Sequence, residues 1–301
     1  MPSGLIDPAP VSLGPDLEVG RLGFGCWRLV GGSPSEYHEV LEAALGHGMN
    51  LVDTADVYGL DWGGTAFGQA ESNLGQVLAA APGLRDRMVL ATKGGITPPT
   101  PYNASAAAIT AACEASLGRL GVDTVDLYQI HRPDLFVHPA ELAEALTGLR
   151  DQGKIREVGV SNFTPAQHEA LAAHLPFPLV ATQPEYSAAA LGALRDGTLD
   201  LCMRDGVVPL AWSPLAGGRL ATGTDVRPEL IATLDRLAER HGTSRTTLAV
   251  AFVLAHPSRP VAILGTQKPE RLAEAAAAAH VPLEREDVYA VIEASEGVPL
   301  P

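Results

Sequence analysis

The stretch "NLVDTADVYG" (residues 50–59) opens like a buried strand and ends in two acids and a tyrosine. Leu51 and Val52 suit a strand covered on both faces, whereas Asp53, Asp56 and Tyr58 do not. What lies around the stretch tells why a chain entering its core places a carboxylate there, with a phenol five positions later.

On either side of this stretch the same alternation recurs. "LVD" (51–53) follows the helical "SEYHEVLEAALGHG" (35–48), and "MVLATK" (88–93) follows "AESNLGQVLAAA" (70–81). "VDLYQIH" (125–131) follows residues 105–121, "KIREVGVSN" (154–162) follows 141–153, and "PLVATQ" (178–183) follows 165–175. "VVPLAWS" (207–213) follows a weaker mixed segment, and "VAILGT" (261–266) follows helical stretches at 228–241 and 244–256. "PERLAEAAAAA" (269–279) closes the pattern, and "RLGFGCW" (21–27) opens it as the first of eight strands. Glycine after a helix and Ser, Thr or Pro before the next supply stop and start signals.

Strict strand–helix alternation implies parallel strands joined by right-handed crossovers. Eight such units in 301 residues predict a closed (β/α)8 barrel of the TIM type, forming one domain over 1–301. An additional C-terminal helix is expected at 284–297, outside the barrel. The competing open sheet announces a dinucleotide with G-x-G-x-x-G after its first strand. Here "GFGCWR" puts Arg28 where the third glycine would stand.

In such a barrel the C-terminal ends of the strands face the active-site mouth. Those ends carry Asp53, Lys93, His131, Ser161 with Asn162, Gln183, Trp212 with Ser213, and Gly265 with Thr266. Singly, each has a plainer account. A lone His131 suits a structural role, Asp53 with Lys93 suits a buried ion pair, and Tyr58 suits a loop anchor. Together they suit proton transfer. A free phenol has a pKa of about 10, and a nearby ammonium lowers it. Lys93 would supply that charge, Asp53 would hold Lys93, and His131 would hydrogen-bond a substrate oxygen. Asp56 has no partner in this scheme and reads as a solvated or turn-capping residue.

The segments "GCWRL", "LVDTADVYG", "LATKGG", "QIHRPD", "GVSNF", "ATQPEYS", "AWSPLAGG" and "ILGTQKPERLAEA" resemble, in order, those of the aldo-keto reductases. The resemblance runs from residue 25 to 275. It implies a (β/α)8 barrel that binds a nicotinamide cofactor without a Rossmann domain and reduces aldehydes or ketones to alcohols. Carried over by position, it makes Tyr58 the general acid, supported by Asp53, Lys93 and His131. It places Trp27, Ser161, Asn162 and Gln183 at the nicotinamide end and Trp212 stacked on the ring. Ser213, Leu215 and Gly217 would wrap the pyrophosphate. Gly265, Thr266, Gln267, Lys268, Arg271 and Glu274 would hold the adenosine end. Lys268 and Arg271 supply charges suited to a 2′-phosphate, which implies NADPH, with NADH as the alternative. Ala275 stands where the family commonly has an asparagine, and Gly265 where some members have a lysine. Trp27, Leu60, Trp62 and Tyr186 are the expected substrate-side residues of a rather open pocket that admits varied small carbonyls. The family's ion-channel auxiliary subunits, which keep barrel and cofactor but act through a partner, define the alternative function.

The totals set outer bounds. The formal net charge is −14, which repels a phosphate backbone and argues against nucleic acid. Apolar residues make up 46% and charged residues 19%, enough for a large core. No apolar run is long enough to span a bilayer, and "MPSGLIDPAP" lacks the marks of a secretory leader. The three cysteines are widely spaced, form no metal-type pair and suggest a reducing compartment, the cytoplasm. No obligate protein partner is expected.

Overall fold

A computed structural model describes residues 4–60 and 63–300. A two-stranded antiparallel hairpin comes first, formed by β1 (Val11–Ser12) and β2 (Glu18–Val19). Eight parallel strands follow: β3 (Leu22–Gly25), β4 (Leu51–Asp53), β5 (Val89–Gly94), β6 (Val125–Ile130), β7 (Ile155–Ser161), β8 (Ala181–Gln183), β9 (Val208–Ala211) and β10 (Val261–Leu264). They close into a barrel in the order β10-β3-β4-β5-β6-β7-β8-β9. The (β/α)8 architecture and the additional C-terminal helix, Arg285–Glu296, are both present. No helix among the described residues is long and apolar enough to cross a membrane.

Alternation along each strand sorts the core into two layers. Leu51, Val89, Ala91, Leu127, Ala181, Leu210 and Ile263 form the inner layer. Val52, Leu90, Tyr128, Val158 and Ala262 belong to the outer layer, packed against the helices. Gly23 and Gly25 face inward beside Ile263, where an added Cβ would come within 2.8 and 2.9 Å of its side chain. Those two positions are therefore small to make room for a large neighbour.

The hairpin was not foreseen from the sequence. Val11, Leu13, Leu17 and Val19 join the inner cluster and plug the end of the barrel opposite the strand C-termini. Arg21 is pinned there by the carbonyls of Asp7, Leu254 and Pro260. With its floor sealed, the barrel opens at one end only. The helices are stopped and started as the residues dictate. Ser33 with Glu36 and Thr164 with Gln167 form capping boxes, each followed by proline at the first helical position. The mixed segment before β9 is two short helices, Gly192–Arg195 and Thr198–Asp205.

Candidate active site

The inward parity that fills the barrel also aims its polar residues. Asp53 and Lys93 lie two residues past Leu51 and Ala91 on their strands, so both point up the barrel toward the mouth. Lys93 is fully buried and its Nζ donates to Asp53 Oδ2 at 2.7 Å, to the Thr54 carbonyl at 2.8 Å and to the Tyr58 hydroxyl at 3.4 Å. Tyr58 returns over the mouth because its loop is stitched to β5. The Thr54 N–H donates to the Ala91 carbonyl and the Asp56 N–H to the Lys93 carbonyl. His131, just past β6, stands edge-on to Tyr58 with ring centroids 5.7 Å apart. Asp53, Tyr58, Lys93 and His131 are thus brought together.

The electrostatics follow from burial. Burial alone would lower the Lys93 pKa, but the attraction of Asp53 and Tyr58 outweighs it and the net direction is up. Lys93 is therefore a charged ammonium across the neutral range. The expectation that Lys93 lowers the Tyr58 pKa needs correction. Burial raises it by more than Lys93 pulls it down, and the phenol ends above its ordinary value. Tyr58 is thus protonated at neutral pH. Burial, with Lys93 and Arg132 close by, holds His131 well below the usual histidine range, so its ring is neutral.

A residue that the sequence reading missed completes the set. Gln129 Nε2 donates to Asp53 Oδ1 at 3.2 Å. It lies two residues before His131 on one strand, so the period-2 rule already put both on one face. Gln183 Nε2 reaches the same oxygen at 3.1 Å. Gln183, expected at a nicotinamide, thus also helps to fix Asp53.

Beside this centre, Asn162 adopts a left-handed backbone, φ 58°. Its Oδ1 accepts from Trp212 Nε1 at 3.0 Å and its Nδ2 donates to Ser161 Oγ at 2.8 Å. Ser161, Asn162 and Trp212 therefore form one linked patch at the mouth. Ser213, Ala216, Gly217 and Gly218 also have positive φ, at 50°, 50°, 71° and 102°. A Cβ added at Gly217 or Gly218 would meet nothing within 4 Å, which leaves an open cradle next to Leu215. Gly265, Thr266 and Gln267 are half-buried after β10, and Gln267 Nε2 is buried without a partner among the described residues. Lys268 caps the exposed start of helix Pro269–Ala276, with Arg271 and Glu274 exposed on it. Among the described residues, neither Lys268 nor Arg271 enters an ion pair, whereas Glu274 accepts from Ser244 Oγ at 2.5 Å. Ala275 is buried.

On the substrate side, Trp27 lies half-buried in the short 3-10 helix Cys26–Arg28 and Leu60 is 46% exposed. Trp62 lies outside the described residues. Tyr186 is a second correction. A parallel bridge between Glu185 and Trp212 carries the ladder past β8, so alternation turns Tyr186 outward. It is 2% exposed, with its ring 6.0 Å from Phe252 in helix Arg245–Leu254, and it does not line the mouth. Asp56 is a third. It is 1% exposed rather than solvated, with Oδ1 unpartnered among the described residues.

Comparison with known proteins agrees with this construction. The Aldo/keto reductase family model matches residues 21–296. The chain is 47% identical over 95% of its length, and 94% of the relative's, to a "6-dehydroglucose reductase" of Novosphingobium aromaticivorans. A second protein of that name, from Agrobacterium fabrum, is 38% identical over 92% of this chain and 94% of its own. An aldo/keto reductase from Klebsiella pneumoniae, solved with NADP and acetate, superposes with a TM-score of 0.79 at 29% identity, covering 97% of this chain and 96% of that one. A closed parallel barrel with this match along nearly its whole length makes the chain a member of the aldo/keto reductase family of oxidoreductases.

Proposed function

We propose that this enzyme reduces an aldehyde to an alcohol with NADPH, with Tyr58 as the general acid, and that its substrate is an oxidised sugar of the 6-dehydroglucose kind. The carrying observation is the Lys93–Tyr58–His131 assembly: a protonated phenol held between a buried ammonium and a neutral imidazole.

The residues present fit a nicotinamide dinucleotide. The linked amide, hydroxyl and indole of Asn162, Ser161 and Trp212 offer the donors, acceptor and flat face that a nicotinamide needs. The cradle at Ser213, Leu215 and Gly217 offers N–H groups to a pyrophosphate at close approach. The orphaned amide of Gln267 has a donor to spare beside Gly265 and Thr266. Lys268 and Arg271, free of ion pairs among the described residues, would meet a 2′-phosphate, with Glu274 beside them. A structural neighbour was solved with NADP. Bound there, the reduced nicotinamide supplies a hydride to the carbonyl carbon.

The chain's own groups manage the oxygen. The Tyr58 hydroxyl gives its proton to the carbonyl oxygen, which leaves as the alcohol. Lys93 stabilises the phenolate left on Tyr58, and Asp53 with its two glutamine donors keeps Lys93 in place. Neutral His131 hydrogen-bonds the same substrate oxygen and lowers the charge that builds there. The sugar assignment rests on the names of the two relatives, and the half-exposed Leu60 and Trp27 suit an open mouth.

The test is Tyr58→Phe. It keeps NADPH binding, read by quenching of Trp fluorescence, and loses turnover by about a hundredfold or more. Undiminished turnover would remove Tyr58 as the acid. A panel of sugar and simple aldehydes, read by NADPH consumption, tests the substrate class. A preference for short unhydroxylated aldehydes rejects it.

A further inference from the structure

Behind the loop that carries Tyr58 lies a buried polar cluster that the reduction does not use. Asp56 sits in it, fixed by its own N–H to the Lys93 carbonyl at 3.0 Å. Helix Gln69–Ala80 contributes Glu71, which is fully buried, and helix Ala106–Leu120 contributes Arg119 and Cys113. From β5 comes Thr92 and from β6 comes Tyr128, with Lys93 of the active site close by.

The pairing in this cluster is unequal. Arg119 Nε donates to Glu71 Oε2 at 2.7 Å, and the Thr92 hydroxyl donates to Glu71 Oε1. Lys93 is committed to Asp53. Two cations thus face three carboxylates, Asp53, Glu71 and Asp56, and Asp56 is the one left over. Its Oδ1 has no partner among the described residues. The Tyr128 hydroxyl is also buried without a partner there, packed so close to Gly94 that a Cβ on that glycine would clash with it. Burial holds the Tyr128 phenol well above its ordinary pKa, so it stays protonated. A buried carboxylate without a counter-charge takes up a proton, and a protonated carboxyl becomes a donor in search of an acceptor. Cys113 stays a neutral thiol in the same space, its pKa pushed up to about 12 chiefly by burial.

We propose that Asp56 holds a proton in the active enzyme and acts as the positioning residue of the Tyr58 loop, so that its ionisation weakens reduction toward alkaline pH. The inference rests on Tyr58 being the general acid. Asp56 lies two residues before Tyr58 and hangs on the Lys93 carbonyl. An ionised Asp56, buried with Oδ1 unpartnered among the described residues, would be driven toward water and would draw the Tyr58 loop and the Lys93 carbonyl with it. Burial and the nearby Glu71 push its carboxyl up to about 8, against the pull of Arg119, the Val57 N–H and Lys93.

The experiment compares wild type, Asp56→Asn and Asp56→Ala in kcat, KM and melting temperature as functions of pH. Asn keeps the shape and the donor but cannot ionise. Asp56→Asn is expected to stay within about threefold of wild-type kcat near pH 6 and to lose the decline centred near pH 8. Asp56→Ala is expected to lose about tenfold in kcat at every pH with KM little changed. The stability arm needs no turnover. The folded state holds the proton more tightly than the unfolded chain, so wild type loses stability as pH rises from about 4 to about 8. The melting advantage of Asp56→Asn therefore grows across that window. Superimposable kcat profiles for wild type and Asp56→Asn, or a constant melting difference, overturn the proposal. If Tyr58→Phe keeps its turnover, the general-acid assignment falls instead, and the melting arm still decides whether Asp56 carries a proton.

Discussion

Removing the Asp53 charge isolates the interaction on which the centre is built. In Asp53→Asn the Lys93 ammonium stays fully buried and keeps the Thr54 carbonyl and the Tyr58 hydroxyl, but no anion. Breaking a buried pair by deleting one partner costs about 3–5 kcal/mol, because the other charge is left uncompensated. The pair here is at the full end of that range, since Lys93 is 0% and Asp53 4% exposed in their side chains. The pH dependence follows from the sign of the Lys93 shift. In wild type its pKa is raised, so its contribution is fully present below the unfolded value of about 10.4 and is lost only as pH climbs through the higher folded value. In the variant the raising partner is gone and burial dominates, so the folded pKa falls below the unfolded one. Stability then rises with pH between those two values. Urea denaturation from about pH 6 to about pH 9 should show wild type flat in this respect and Asp53→Asn recovering part of its loss as Lys93 releases its proton. Asp53→Asn with Lys93→Met should be more stable than Asp53→Asn alone, giving a coupling of about 2–3 kcal/mol in a double-mutant cycle. A single variant within about 1 kcal/mol of wild type, or additive variants, would refute the buried, charged pair.

Two further outcomes check other parts of the molecule. Lys268→Ala with Arg271→Ala should weaken NADPH binding about tenfold or more while leaving NADH binding within about twofold, and equal losses for both cofactors would reject the 2′-phosphate contact. The three cysteines are buried, and burial pushes Cys113 and Cys202 up to about 12, so a thiol reagent near pH 8 should label the native enzyme slowly and all three after unfolding. Rapid native labelling would show that these sites open far more often than their packing implies.

The residues that close the barrel were legible because their signals are local. Strand–helix alternation, capping boxes at Ser33 and Thr164, and apolar runs that end in Asp53, Lys93 and His131 all lie within a few positions of one another. Such signals fix which elements form and which strand ends face the mouth. The hairpin at Val11–Val19 escaped because its strands have two residues each, too few to show a period, and its burial depends on a barrel end far along the chain. Gln129 could have been found, since it shares a face with His131.

Tyr186 and Asp56 could be placed only by the tertiary structure. Tyr186 turned inward or outward according to whether the ladder continued beyond Gln183, and a bridge between Glu185 and Trp212 decided it. Asp56 looked like a turn residue because its neighbours in sequence suit a turn. It is buried, and the helices that carry Glu71 and Arg119 bring their charges to it. The direction of the Tyr58 shift belongs with these. Residue types at the strand ends were enough to put an ammonium and a phenol at one mouth. Only the fold set how much water was excluded around them, and that desolvation outweighed the ammonium and kept the phenol its proton.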